Sequence, residues 1–178
     1  MPANVIPREF SGDATELRLR SERIVDALVE LGMTHAVGVP DNATRIVYEL
    51  LEQHPAVQVV PVCREGEAWA IASGLWVGGK QPVVIIQNTG FLESGDALRG
   101  TALEMGVPLV ALMDYRGYHT LSSSDPDQVD SAARLFEPTM RAWQLPYRFL
   151  EDGKELEVLT AARDDARNSR RPAAVLMA

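Results

Sequence analysis

Glu65 and Glu67 stand where an apolar run gives way to a helical stretch, and a carboxyl in that place can do acid/base chemistry. Residues 57–62 have the composition of a buried strand, and residues 68–72 are apolar again. The strand ends of a parallel α/β sheet meet at a ligand crevice, so a carboxyl there is partly stripped of water and can hold a proton near neutral pH. The alternative is a carboxylate that only stabilises the first turn of the helix through the helix dipole.

Two other predicted strands also end in polar or glycine-containing sequence. Residues 38–42 (Gly-Val-Pro-Asp-Asn) end the first strand, and residues 87–90 (Gln-Asn-Thr-Gly) end the third. Asp41 and Asn42, judged singly, fit a helix-capping role. Because these clusters should share one edge of the sheet, we expect a ligand crevice there.

The long connection after the fourth strand carries two further candidates, Arg116 and His119. Connections of this length at a strand end often act as lids over a site. Arg116 can bind an anionic substrate through two parallel hydrogen bonds, and His119 can donate a proton or make a second anion contact. The alternative for both is a solvated loop side chain.

The elements that must position these side chains alternate between short apolar runs and amphipathic stretches. Strands are predicted at residues 35–39, 57–62, 83–87, 108–114, 147–150 and 173–177. Helices are predicted at residues 15–31, 44–53, 67–77, 94–104, 129–143, with an interruption at Pro138, and 154–167. Continuous apolar strands indicate burial on both faces. The pattern therefore predicts a doubly wound α/β fold with about six parallel strands and helices on both faces.

Composition narrows the class of protein. With 178 residues, 46% of them hydrophobic, we expect one domain at residues 13–178 after a poorly ordered lead-in at residues 1–12. A net charge of −8 and the absence of a basic run argue against nucleic acid or an anionic membrane as partner. No apolar stretch would span a membrane and residues 1–10 do not resemble a signal peptide, so we expect a cytoplasmic protein.

Several kinds of site are excluded because the sequence lacks the motif or the ligands that they need. Cys63 is the only cysteine, which leaves no internal disulfide or multi-cysteine zinc site, and the spacing of the three histidines predicts no metal site. A lone cysteine at a strand end is usually a small buried hydrophobe. The sequence also lacks a dinucleotide-binding glycine turn, a nucleotide P-loop and a serine nucleophile elbow.

Together these residues resemble the pyrimidine-binding domain of thiamine-diphosphate-dependent 2-oxo acid decarboxylases. The resemblance rests on residues 64–80 (REGEAWAIASGLWVGGK), on residues 87–90 (QNTG), and on Pro108 and Arg116-Gly117, within a region from about residue 38 to residue 150. It is greatest to sulfopyruvate decarboxylase α subunits and to the N-terminal part of phosphonopyruvate decarboxylase.

The resemblance implies roles for the candidate residues. Glu65, nine residues before Gly74, is the glutamate that hydrogen-bonds and activates the aminopyrimidine, and Glu67 lies on the helix surface or behind the site. The other cofactor contacts implied are Pro40, Asn88, Thr89 and Gly90. The resemblance also implies an anionic 3-substituted pyruvate, sulfopyruvate or phosphonopyruvate, bound by Asn88, Arg116 and His119, with His119 also catalytic. Phe91 and Glu93 depart from the family pattern and are expected to narrow or change the pocket.

The resemblance also implies that the active site is shared. The sequence has no Gly-Asp-Gly stretch with a downstream asparagine, by which the family binds diphosphate and Mg²⁺. A diphosphate-binding β subunit is therefore expected, in a hetero-oligomer built on homodimer-like pairs. Two alternatives from other classes stay open: a flavin- or small-molecule-binding module, and a non-catalytic partner subunit that kept the fold and the interface but lost the chemistry.

Overall fold

Six parallel strands form one sheet in the computed structural model, which describes residues 13–178. The strands are β1 (His35–Gly38), β2 (Gln58–Pro61), β3 (Pro82–Gln87), β4 (Val110–Asp114), β5 (Tyr147–Phe149) and β6 (Ala173–Met177). They lie in the order β2-β1-β3-β4-β6-β5, and every neighbouring pair is parallel. The predicted doubly wound α/β fold is confirmed. The lead-in predicted for residues 1–12 lies outside the described residues.

Helices cover both faces of the sheet. They are α1 (Ala14–Glu30), α2 (Arg45–Gln53), α3 (Glu65–Val77), α4 (Asn88–Glu93), α5 (Gly95–Leu98), α6 (Ser131–Ala142) and α7 (Glu155–Ser169). The apolar sides of α1, α2 and α7 share one hydrophobic cluster with one face of the sheet. Those of α3, α4, α5 and α6 share a second cluster with the opposite face.

The position of each strand in the sheet explains its exposure. β4 and β6 are buried along their whole length, as is β3 up to its last residue, because helices cover both of their faces. The edge strands β2 and β5 are only partly buried. The chain runs from β1 outward to β2 and then returns past β1 to β3. In doubly wound sheets, ligands bind outside the carboxyl ends of the strands at such a reversal.

Three helical segments differ from those that the periodicity predicts. α3 begins at Glu65 and therefore includes that residue in its first turn. β3 passes into α4 at Asn88 with no intervening loop, and α5 then continues into a π-helical turn, Arg99–Leu103. The interruption predicted at Pro138 is wrong, because α6 runs through it; this exposed proline lacks only one backbone hydrogen bond.

The helices of residues 13–178 are all too short or too polar to cross a membrane.

Candidate functional site

The carboxyl ends of four adjacent strands, β2, β1, β3 and β4, carry the residues that the sequence singles out. α3 begins with Glu65 four residues after β2, and Pro40 follows β1 by two residues. Asn88 directly follows β3, and Arg116 stands two residues beyond β4. The predicted clusters therefore lie along one continuous edge of the sheet, on both sides of the point where the chain reverses direction.

Glu65 is the first residue of α3 and is half-buried against α4. The side chain of a residue larger than glycine at position 90 would overlap its carboxyl group, because a Cβ built on Gly90 would overlap Cγ, Cδ and Oε1 of Glu65. Gly90 itself is buried. The missing side chain at position 90 thus makes room for the carboxyl of Glu65, and the two residues form one unit.

Glu67 has a different position, which separates the two glutamates. Its side chain is exposed, and Oε2 accepts a hydrogen bond of 3.1 Å from the backbone N–H of Cys63. A carboxylate in the first turn that accepts a backbone N–H just before the helix satisfies a donor that the helix leaves open. Glu67 therefore serves the start of α3, and Glu65 remains directed to the crevice side of α4.

Cys63, between β2 and α3, is exposed. The sequence suggested a small buried hydrophobe at this position, and that expectation is wrong. β2 lies at the edge of the sheet and its burial ends before the turn into α3, so the cysteine is left on the surface.

Asn88 is completely buried and joins the end of β3 to the loop after β4. Its Nδ2 donates a hydrogen bond of 3.0 Å to the backbone carbonyl of Arg116. Its Oδ1 is buried and has no hydrogen-bond partner among the described residues. A buried acceptor without a donor costs free energy, so this oxygen is suited to an N–H or O–H group of a ligand.

Two further functional candidates lie at the centre of the edge: Gln87, which the sequence analysis names only as part of a motif, and Asp114, which it does not single out. They are the last residues of β3 and β4 and stand opposite each other in the sheet. Gln87 Nε2 donates to Asp114 Oδ2 at 3.2 Å, and the hydroxyl of Thr89 donates to Gln87 Oε1 at 2.8 Å. The sequence signal for this pair is a polar residue at the last position of each of two otherwise apolar strands.

Arg116 and His119 lie on the loop after β4, both exposed. Nε of Arg116 is 3.8 Å from Oδ2 of Asp130, and His119 lies within the short 3₁₀ helix Tyr118–Ser122. The structure joins Glu65 to Gly90 and Asn88 to Arg116. Pro40 and His119 lie on the loops after β1 and β4, two strands that β3 separates.

The root of this loop is fixed by Tyr115. Its hydroxyl oxygen lies 3.1 Å from the carbonyl oxygen of Ala133 and 3.2 Å from Oε1 of Glu137, and the two acceptors share its one O–H. Burial, followed by the charge of Glu137 and the hydrogen bond to it, raises the pKa of Tyr115. The hydroxyl therefore stays protonated and holds the start of the loop against α6.

The two residues that depart from the resembled family do not shape the crevice as expected. Phe91 is fully buried and packs edge-to-face on Phe136, so it belongs to the core. Glu93 forms an exposed ion pair of 2.6 Å with Arg64 on the surface of the α3–α4 contact. The expectation for Phe91 is wrong, because the helical turn that starts at Asn88 directs its ring inward.

A protein-family model described as the N-terminal TPP binding domain of thiamine pyrophosphate enzymes matches residues 20–133, well over half of the chain. The chain belongs to this family.

The relatives of this thiamine pyrophosphate-binding domain include decarboxylases. It is 31% identical over 97 residues to sulfopyruvate decarboxylase subunit alpha of Methanothermobacter thermautotrophicus, covering 54% of the chain and 59% of the relative. It is 32% identical over 94 residues to phosphonopyruvate decarboxylase of Streptomyces viridochromogenes, covering 53% of the chain but only 24% of the relative. The alpha subunit of Methanocaldococcus jannaschii is 24% identical over 123 residues, 69% of the chain and 71% of the relative. The chain thus matches less than two thirds of the length of the first of these relatives.

The described residues of this thiamine pyrophosphate-binding domain fit the pyrimidine end of the cofactor. They offer a half-buried carboxyl with room made for it by Gly90, and the buried acceptor Asn88 Oδ1. A ring nitrogen and an exocyclic amine need such partners. Within residues 13–178, no group of three or more histidine, cysteine, aspartate or glutamate side chains could hold a metal ion.

Proposed function

We propose that this chain is the pyrimidine-binding subunit of a thiamine-diphosphate-dependent decarboxylase that acts on an anionic 3-substituted pyruvate. The observation that carries the proposal is the Glu65 carboxyl, set against Gly90 at the carboxyl edge of the sheet. Its support is the family membership and the names of the relatives, which are decarboxylases of sulfopyruvate and phosphonopyruvate.

Glu65 would hydrogen-bond a ring nitrogen of the aminopyrimidine and share a proton with it. The cofactor, when bound, supplies the electron sink for loss of carbon dioxide from a 2-oxo acid. For that chemistry the protein must hold a carboxyl that exchanges a proton at one fixed place, partly shielded from water. Gly90 keeps the space for the carboxyl, and Asn88 Oδ1 would accept an N–H of the amine. Pro40 and Thr89 would line the same end.

Arg116 would bind the second anionic group of the substrate. Its guanidinium carries a fixed positive charge and five donors, which suit a sulfonate or a phosphonate. His119 stands three residues further along the same loop and would make a second anion contact or donate a proton. Asn88 would contact the substrate through the second N–H of Nδ2, because only one of its two N–H groups donates to the Arg116 carbonyl.

A diphosphate-binding β subunit would hold the rest of the cofactor, with Mg²⁺. Three relatives bear the name subunit alpha, and the sequence has no Gly-Asp-Gly stretch. An apolar part of α3 also lies open in the described structure: Ile71, Trp76 and Val77 are exposed on the helix that begins with Glu65. A helix apolar on nearly all sides is normally covered, so a partner chain that completes the site would pack on it.

The test is to produce the chain alone and together with a candidate diphosphate-binding subunit, and to measure carbon dioxide release with thiamine diphosphate and Mg²⁺. Sulfopyruvate, phosphonopyruvate and pyruvate are compared as substrates. We expect turnover only with both chains, and higher kcat/KM for the two doubly anionic substrates. Strong decarboxylation by the pure isolated chain, or a flavin-containing preparation without decarboxylase activity, would contradict the proposal.

A further inference from the structure

Asp130 connects the loop that carries Arg116 to the helix that follows it. Its Oδ1 accepts hydrogen bonds from the backbone N–H groups of Ala132, at 2.8 Å, and Ala133, at 3.2 Å, and so caps α6. Its Oδ2 is turned to the loop, 3.8 Å from Nε of Arg116. One carboxylate therefore has two separate functions, one for each oxygen.

The loop backbone is held closely around this carboxylate. Gly117 has a φ of +77°, and a Cβ built on it would lie 2.6 Å from Cβ of Asp130. The hydroxyl of Thr120 donates to the carbonyl of Gly117 at 2.6 Å and accepts the N–H of Asp130 at 2.9 Å. The carboxylate, its cap and the turn at Gly117 thus form one fixed unit.

The backbone of Arg116 is fixed from the other side. Asn88 Nδ2 holds its carbonyl oxygen, as described above. The side chain of Arg116 is freer than its backbone, because 60% of it is exposed. Only 25% of the Asp130 side chain is exposed. A long exposed side chain samples many rotamers, and a fixed carboxylate near its Nε restricts them.

We propose that Asp130 is a positioning residue that directs the guanidinium of Arg116 toward the second anionic group of the substrate; this rests on the proposed function. Asp130 approaches the guanidinium at Nε, which leaves the two terminal nitrogens for a sulfonate or phosphonate. Among the described residues, no other carboxylate forms an ion pair with Arg116. Asp130 therefore determines selectivity between doubly and singly anionic oxo acids without contacting either.

The direct test is Asp130→Asn in the assembled enzyme. Asparagine keeps the oxygen that caps α6 and removes only the charge, so the midpoint of thermal unfolding should stay near that of the wild type. We expect KM for sulfopyruvate or phosphonopyruvate to rise about 3- to 5-fold, the size expected for one partly exposed ion pair, with kcat and the kinetics of pyruvate unchanged.

The matched control is Asp125→Asn, on the same loop. Asp125 is exposed and its Oδ1 accepts the N–H of Asp127, so this variant also removes one negative charge from a loop carboxylate that caps a turn. The control should leave the selectivity between substrates unchanged. In an Arg116→Met background, Asp130→Asn should have no further effect on selectivity, because Asp130 acts through Arg116.

An unchanged or increased preference of Asp130→Asn for the doubly anionic substrate would overturn the proposal, as would an additive effect in the Arg116→Met background. A second readout does not depend on turnover: the Nε–H resonance of Arg116 in a ¹⁵N spectrum, titrated with 3-sulfopropanoate. We expect a shift in the wild type that weakens 3- to 5-fold in apparent affinity in Asp130→Asn. If this titration succeeds while no oxo acid is decarboxylated, the proposed function fails and the role of Asp130 in anion binding stands. No shift in the wild type would overturn the role of Asp130.

Discussion

At the level of single residues, the site depends on the carboxyl of Glu65 occupying the space that a side chain at position 90 would fill. Glu65 needs the absence of a side chain at position 90, and Gly90 gains nothing from its own flexibility, since its backbone lies in a helix. In the interior of such a helix glycine is unfavourable by roughly 0.5–1 kcal/mol relative to alanine. A glycine at this position is therefore explained by the carboxyl next to it.

Gly90→Ala should displace the Glu65 carboxyl and lower kcat of the assembled enzyme by about 100-fold, the lower end of a general acid/base contribution. Stability should change less, because the new methyl group can be accommodated by rotation of the glutamate side chain. The measurements are steady-state kinetics and thermal unfolding of the same preparation.

Gly100→Ala is the control, since a Cβ at position 100 meets no atom within 4 Å. It should leave kcat at the wild-type value. Equal activity of Gly90→Ala and Gly100→Ala would show that the contact with Glu65 has no catalytic consequence.

The sequence predicts the glutamate but not the environment that distinguishes it from its neighbour. A carboxyl at a strand-to-helix junction is recognisable from the apolar runs on either side. The hydrogen bond from Cys63 to Glu67 is local to the start of α3, but the contact between Glu65 and Gly90 depends on how α3 and α4 pack, and no local pattern encodes it. Asp130 escaped for the same reason, because its partners are brought together by the fold of the loop.

At the level of elements, α3 combines a catalytic end with an uncovered apolar side. Its inward residues, Ala68, Trp69 and Ala72, are fully buried, but Ile71 and Val77 remain exposed. Exposing apolar side-chain surface to water, rather than burying it, is unfavourable by roughly 25 cal/mol per Å². The proposed partner subunit would remove this cost by covering the exposed part of the helix.

Val77→Asp should prevent assembly with the diphosphate-binding subunit while the isolated chain remains folded. Val77 is 62% exposed, so a carboxylate there is hydrated in the free chain but would be buried in the complex. Size-exclusion chromatography of the mixed chains measures assembly, and circular dichroism checks the fold.

Leu135→Asp is the matched control, on the 52% exposed Leu135 of α6. It should assemble normally. Assembly of Val77→Asp with wild-type affinity would show that the partner packs elsewhere.

The strands were easier to predict than the helices around the site. The run 173–177 coincides with β6, and the run 108–114 ends, as β4 does, at Asp114. Buried parallel strands are continuous apolar runs, so their signal is local. The segment 94–104 was predicted as one helix, whereas the chain turns helical already at Asn88 and then breaks into α4, α5 and a π-turn. Phe91 and Leu98 both pack into the core on this face of the sheet, and helical periodicity alone does not reveal such tertiary contacts.

At the level of the whole molecule, two ion pairs join the first helix to the start of the last, one at its first residue and one in the turn before it. Nε of Arg23 on α1 lies 2.8 Å from Oε1 of Glu155 on α7, and Nε of Arg20 lies 2.7 Å from Oδ1 of Asp152. The side chains of Arg20 and Glu155 are almost fully buried, each 6% exposed. These contacts hold α1 and α7 together on the face of the sheet opposite to α3.

Stability should depend on the ionisation of Glu155. Burial has the largest single effect on the pKa of Glu155 and raises it. Hydrogen bonds from Arg23 and from the backbone, together with the charge of Arg23, act in the opposite direction. Their sum is larger, so the pKa lies below the ordinary value of 4.5. Because the folded state has the lower pKa, the ionised carboxylate stabilises the fold above pH 4.5. That stabilisation is lost as the pH falls through the lowered value.

Glu155→Gln should lower the free energy of unfolding at pH 7 by about 1.5–3 kcal/mol, the range for loss of a hydrogen bond to a charged group. It should also flatten the decline in stability below pH 4.5. Urea unfolding at pH 7 and at pH 3.5 measures both. Glu157→Gln, an exposed residue in the same helical turn, is the control. An identical acid decline in Glu155→Gln and wild type would contradict this account.

The most direct test of the central claim compares Glu65→Gln with Glu67→Gln in the assembled enzyme. Both substitutions replace a carboxylate in the first turn of α3 by its neutral isostere. We predict that Glu65→Gln lowers kcat by at least about 100-fold with assembly intact, because its carboxyl exchanges the proton. Glu67→Gln should keep kcat within about 3-fold, since its amide oxygen can still accept the Cys63 N–H. Near-normal kcat in Glu65→Gln, or an equal loss in Glu67→Gln, would contradict the assignment of Glu65 as the activating carboxyl.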